Sequence, residues 1–139
     1  MNLAQFIERL KGVALAQPSV RTVVENDVFR LNAMPSVDYG VFAFTQGQHR
    51  ADMDREIITY VFSLFYVDRL TEDATNEVEV QSVGITTLTN IIHTIADDFG
   101  VASWTINTFN QRFADLCAGA YATVGIDVPF DFTCSDEYS

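Results

Sequence analysis

The side chains best suited to chemistry in this sequence are three alternating carboxylates, Asp52, Asp54 and Glu56, two histidines, His49 and His93, and two cysteines, Cys117 and Cys134. Carboxylates at every second position gather on one side of an extended segment and can attract a hard cation. This run lacks the glycine and the later glutamate of a calcium loop, so a solvated, charged approach to the next strand is the preferred reading. His49 and His93 stand alone, and neither cysteine has a Cys or His neighbour at a zinc spacing. His93 reads as a partly buried residue flanking an apolar helix stripe, and His49 as a solvated side chain in a polar loop. Cys117, in Asp115-Leu116-Cys117-Ala118, has no cationic neighbour to lower its pKa, so it reads as a buried structural thiol. No Gly-x-Ser-x-Gly elbow, Gly-x-Gly-x-x-Gly turn or phosphate-cradling loop with its lysine occurs. No pair of acids is set in opposed environments for acid–base work. The expectation is therefore a protein with no catalytic residues, no cofactor and no metal.

Charge narrows the partners. Nineteen acids against eight bases give a formal net charge of -11 over 139 residues. The bases are scattered from Arg9 to Arg112, and no basic stripe exists to neutralise phosphates. Charged residues make up 19% of the chain, below the usual quarter, while 48% are hydrophobic. That balance builds one ordinary core and leaves apolar surface for a partner. Glu8, Arg9 and Lys11 interrupt any signal-peptide run, and Thr59 and Ser63 break the most apolar stretch, so export and membrane insertion are not expected. Two thiols in a chain without export signals imply a reduced, cytoplasmic setting.

These residues must be positioned by a small set of elements. Leu3, Phe6, Ile7, Leu10, Val13 and Ala14 recur at helical spacing behind Asn2 as N-cap, and Pro18 closes that helix. Val28 to Ala33 and Tyr39 to Gln46 read as a hairpin around Met34-Pro35-Ser36. In the second of these strands Val41 and Ala43 oppose Phe42 and Phe44, so both faces should be covered. Gln46 to Arg50 reads as a loop, and Ile57 to Asp68 as the central strand. An acidic connection, Thr71 to Glu77, leads to a second helix with Val80, Val83, Thr87, Leu88, Ile91, Ile92, Ile95 and Phe99 on its apolar face and Gly100 as its C-cap. Asp97 and Asp98 oppose the dipole at its end, a placement that points to a partner. Trp104 to Phe109, a turn near Asn110 and Gln111, and Phe113 to Val128 close the order as a second hairpin. Ala118-Gly119-Ala120 calls for a bulge or a closely approaching backbone. The reading is one α+β domain over residues 1–129, an antiparallel or mixed sheet with two helices in the order α-β-β-β-α-β-β, followed by an acidic tail over residues 130–139.

Tyr60-Val61-Phe62-Ser63-Leu64-Phe65-Tyr66-Val67-Asp68-Arg69-Leu70 and Phe109-Asn110-Gln111-Arg112-Phe113-Ala114-Asp115-Leu116-Cys117-Ala118-Gly119-Ala120-Tyr121 resemble segments of small neck and tail proteins of tailed bacteriophages, the crAss-like group above all. The order of elements from Asn2 to about Val128 is similar to the tail-terminator fold. The resemblance implies a homo-oligomeric ring, six- or twelve-fold, at the head–tail connection of a virion. Such a ring is assembled in the host cytoplasm, contacts portal-side, neck or tail proteins, and passes DNA only as transient cargo. It carries no catalytic residue to transfer, and the acidic tail has no counterpart in it. Acids lining a lumen would not hold the passing phosphates, and acids that merely keep a small domain soluble explain the same charge.

Three functional classes follow: an assembly subunit, a monomeric adaptor that captures another protein, and an enzyme with a motif-poor pocket, in that order of preference. The polar connections Gln46 to Arg55 and Thr71 to Asn76 are the expected interaction elements. Within the first, Gln46, Gln48, His49, Arg50 and Arg55 form a local basic site suited to a carboxylate-rich edge of a neighbouring subunit.

Overall fold

The computed structural model describes residues 2–25, 39–71, 75–112 and 116–129. Helix α1 (Leu3–Leu15) starts where the sequence placed its cap. The Asn2 side chain accepts the Gln5 N–H at 2.9 Å and the Gln5 side chain accepts the Asn2 N–H at 2.9 Å, so two otherwise orphaned donors are satisfied reciprocally. Its buried stripe is Phe6, Leu10, Val13 and Ala14. Strands β1 (Thr22–Glu25), β2 (Val41–Gln46), β3 (Arg50–Asp52) and β4 (Ile57–Arg69) follow, then helix α2 (Glu77–Asp98) and strands β5 (Gly100–Arg112) and β6 (Leu116–Pro129).

The six strands form one mixed sheet in the order β1-β2-β4-β6-β5, with β3 also paired to β4. Only β1 and β2 run parallel. As the unbroken run of β-prone residues demanded, β4 is central, paired to β6 from Ile57↔Pro129 to Arg69↔Cys117 without a register shift. The chain is therefore α+β, and among the described residues β1 and β3 are two strands that the sequence reading did not have. The expected first strand, Val28 to Ala33, lies outside the described residues, as do Cys134 and the acidic tail. Instead of an antiparallel hairpin partner, β2 has the parallel strand β1 on one side and β4 on the other.

Alternation along the strands sorts two cores. On the inner face Phe42, Phe44, Tyr60, Phe62, Leu64 and Tyr66 meet the small side chains Ala120 and Ala122 of β6 and the stripes of both helices. Phe6 of α1 stacks 5.4 Å from Phe62, centroid to centroid, and lies 5.1 Å from Tyr60. The outer face carries a smaller cluster of Val24, Val41, Ala43, Val67 and the buried Cys117 thiol, with Phe65, Phe109 and Tyr39 against it. Both faces of β2 are thus covered, which explains why its four residues Val41 to Phe44 are all fully buried. Burial, and then the Asp68 carboxylate, push the Tyr66 phenol up to about 12, so it stays a neutral donor, bonded to the Ser19 carbonyl at 3.3 Å.

Side-chain-poor positions set how closely the layers approach. A Cβ on Gly119 would sit 1.7 Å from the Tyr66 carbonyl oxygen, and one on Gly84 would sit 3.1 Å from Ala120 Cβ. The close approach expected at Ala118-Gly119-Ala120 is present, within a regular ladder and without a bulge. Four sequence assignments are corrected. Gly84 takes a buried place on α2, and Val83 is 38% exposed, because the helix turns its narrowest side to β6. Gly100 does not cap α2: Phe99 is the cap, in extended backbone, and Gly100 already belongs to β5. Asn110 and Gln111 lie inside the ladder, which continues to Arg112↔Leu116. His93 is exposed, on the side of α2 away from the sheet.

Truncating a large side chain in this core leaves a cavity, so Leu64→Ala and Ile91→Ala should each cost about 2 to 5 kcal/mol in denaturant unfolding. Two glycine-to-alanine changes should move stability in opposite directions. Gly12→Ala, where a Cβ meets nothing within 4 Å, should stabilise α1 by about 0.5–1 kcal/mol. Gly119→Ala should destabilise the fold, because the new methyl must displace strand β4.

Candidate functional site

The polar segment between β2 and β4 is not a loop. Gln46 pairs with Phe62 and Arg50 with Thr59, so three residues, Gly47 to His49, oppose two, Tyr60 and Val61. Strands β2 and β3 therefore form one long strand with a one-residue bulge, and they make a hairpin with β4 closed by the turn Met53 to Glu56. Glu56 closes the turn at φ 53, a left-handed conformation that costs a non-glycine residue about 1 kcal/mol. Asp52 Oδ1 accepts the Arg55 N–H at 3.2 Å and holds the turn's near side.

His49 organises the bulge. Its Nδ1 accepts the Val61 N–H at 3.0 Å, and Nε2 lies 3.0 Å from Gln46 Oε1. A ring nitrogen that accepts a backbone N–H carries no proton, so the tautomer is Nε2–H, donating to Gln46. The ring meets Tyr60 edge-on at 5.5 Å and Phe62 at 5.7 Å. Desolvation lowers its pKa below the ordinary 6.5. The solvated histidine expected from the sequence is thus a partly buried one that replaces a missing ladder acceptor, a role visible only once the bulge is known.

Below the turn an open cleft of about 460 Å³ is lined by Arg50, Asp52, Met53, Asp54, Arg55, Thr59 and Asp127 among others. Thr59 Oγ1 donates to Asp127 Oδ1 at 2.7 Å, and Arg55 Nη2 lies 3.8 Å from Asp127 Oδ2. Of the five residues singled out for subunit contact, Gln46 and His49 hold the bulge, Arg55 leans on Asp127, and Gln48 and Arg50 are exposed. Among the described residues Arg50 makes no ion pair. Asp127 and Thr59 escaped the sequence reading because they meet only through the β4–β6 register, Thr59↔Asp127. No thiol or imidazole lines the cleft among the described residues. Among the described residues no three His, Cys, Asp or Glu side chains come together to hold a metal ion. Mixed-sign side chains around an open, shallow cleft suit a polar protein surface better than a small substrate.

In comparison with known proteins, the chain matches no family model and no curated protein. Among the described residues no helix is long and apolar enough to cross a membrane.

Because folding lowers the His49 pKa, the unfolded chain binds the proton more tightly. The stability from this histidine is present above pH 6.5 and is lost as pH falls through the folded-state value. His49→Ala should cost about 1 kcal/mol at pH 8 by leaving the Val61 N–H to water. The gap between variant and wild type should narrow as pH falls from 7 to 5. Parallel unfolding curves over that range would show that the ring is solvated.

Proposed function

We propose that this chain is a structural assembly subunit: a ring-forming component of the head–tail connector or tail terminator of a tailed bacteriophage, with a fold of the tail-terminator kind. The observation that carries the proposal is the division of labour within the domain. The core is complete between the inner sheet face and two helices, and what remains outside it is built for contact rather than turnover. The bulged hairpin projects Arg50 and Gln48, and the cleft beneath it offers charges of both signs without an imidazole or thiol among the described residues. The sequence resemblance of Tyr60 to Leu70 and Phe109 to Tyr121 to neck and tail proteins supplies the biological setting.

In this reading the subunit makes a homo-oligomeric ring in the virion neck, meets portal-side or tail proteins above and below, needs no cofactor and lets DNA pass as cargo. The excess of carboxylates, 19 against 8 bases, disfavours retention of phosphates in the lumen. The hairpin tip supplies the head-to-tail contact, since a heterologous patch of this kind closes rings.

Electron microscopy of the purified protein, together with mass spectrometry of purified virions, tests the proposal. Rings of six or twelve subunits and recovery among virion proteins are expected. A strictly monomeric protein that is also absent from virions overturns it. Within a ring, Arg50→Glu should weaken assembly more at low salt than at high salt while leaving the monomer folded. Arg55→Glu should act mainly on its own chain, through Asp127.

A further inference from the structure

Strand β5 ends the sheet, and it ends it openly. It is 13 residues long and, among the described residues, pairs only with β6. Exposed edges of that length are templates for another strand, and monomeric proteins blunt them with proline, lysine or inward charge. From Gly100 to Gln111 this strand has no proline and no charge, and Arg112 is its single charged residue. Trp104, Thr105, Asn107 and Thr108 are exposed. Trp104 of the strand is 40% exposed, and helix α2 adds apolar surface through Ile85, 38% exposed, and Val78, 76%.

The direction of the open groups follows from the ladder. The Val61 C=O and N–H both face the β2–β3 side, where they meet the Gly47 N–H and His49 Nδ1, so the even-numbered residues of β4 face β6, and in the unshifted β4–β6 register the odd-numbered residues of β6 face β5. Peptide groups alternate along an antiparallel strand, and the register is regular from Ser103 to Arg112. Thr105, Asn107 and Phe109, opposite Thr123, Tyr121 and Gly119, therefore face β6, and Trp104, Ile106 and Thr108 turn their N–H and C=O groups outward. Water can satisfy these groups, but the flanking apolar side chains gain nothing from it.

We infer that the β5 edge pairs antiparallel with the β5 edge of a second copy, about a two-fold axis through Ile106, making one continuous sheet across the dimer. Three observations select a second copy as the occupant. First, a second β5 is an edge of equal length that is equally free of acid, on a chain whose net charge of -11 makes two copies repel almost everywhere else. Second, the register about Ile106 sets each outward-facing residue opposite an outward-facing one, Trp104 against Thr108 and Ile106 against Ile106, and the axis perpendicular to the sheet keeps both α2 helices on one side with their exposed apolar residues. Third, the ends are complementary in charge. Arg112 closes β5, while Asp97 and Asp98 immediately precede it, so antiparallel pairing brings each Arg112 to the other copy's Asp97–Asp98 end. Parallel pairing would bring arginine to arginine. Asp98 already holds Arg9 at 2.6 Å, whereas Asp97 is exposed and, among the described residues, makes no ion pair. A carboxylate that opposes the dipole of its own helix thereby gains a counter-charge in the dimer.

This contact goes beyond the ring reading and does not rest on it: it is two-fold, it uses the opposite edge of the sheet from the bulged hairpin, and either can fail while the other stands. Sedimentation equilibrium of the full chain tests it. Wild type should form dimers at micromolar concentration. Thr108→Pro, which removes an outward N–H and spares the β6 ladder, should abolish them with the far-UV dichroism of the monomer retained. Arg112→Glu and Asp97→Arg should each weaken dimerisation roughly tenfold, because each creates two symmetry-related repulsions, and the double variant should recover most of the loss. If Thr108→Pro fails to fold, the charge exchange alone decides. A wild type that stays monomeric at high micromolar concentration overturns the inference, as does a dimer unmoved by the proline, or one that the double charge exchange fails to restore.

Discussion

Close approach between strands β4 and β6 is the constraint from which the rest of the structure follows. Opposite the aromatic run of β4, β6 presents Ala118, Gly119, Ala120 and Ala122, all fully buried or nearly so. The absence of side-chain bulk on β6 lets α2 settle with Gly84 against Ala120 and lets the Tyr66 carbonyl lie where a Cβ on Gly119 would be. Volume removed from β6 is returned from β4 and α1, where Tyr60, Phe62 and Phe6 fill the inner layer as one ring cluster. Large and small residues facing each other across two strands is how a thin domain reaches interior packing density.

The few bases are spent on tying elements together. Arg9 of α1 holds Asp98 at the end of α2, Lys11 holds Glu25 of β1, and Arg55 of the hairpin turn leans on Asp127 of β6. Each pair is partly exposed and worth little by itself. Among the described residues Arg50 on the bulged hairpin is left without an ion pair, and β5 is uncharged from Gly100 to Gln111. Assembly contacts of a chain with this charge have few places to go, and these two are at opposite sides of the sheet.

A bulge in the middle of the β2–β3 strand would ordinarily leave an unpaired N–H on β4. His49 supplies the acceptor from a side chain, and its ring also closes the edge of the inner aromatic layer through Tyr60 and Phe62. A local irregularity in the ladder thus becomes a fixed kink that projects the turn Met53 to Glu56 away from the core. The chemistry of that histidine is positional, since its nitrogens are occupied by a backbone N–H and by Gln46.

Periodicity in the sequence was enough to determine the two helices, the central place of β4, the sidedness of Ala120, Ala122, Val124, Ile126 and Val128, the cap at Asn2 and the close approach at Gly119. Each is a local consequence of side-chain size, spacing or backbone permissiveness, and local consequences survive in one dimension. Only the tertiary structure decided that β1 runs parallel to β2, that Gln46 to Asp52 continues a strand, that Gly100 and Asn110 lie within β5, and that Thr59 meets Asp127. Strand partners and register depend on contacts between residues far apart in the chain; Thr59 and Asp127 are 68 positions apart. A bulge is invisible until the opposing strand is known, because the extra residue is defined only by what it fails to face.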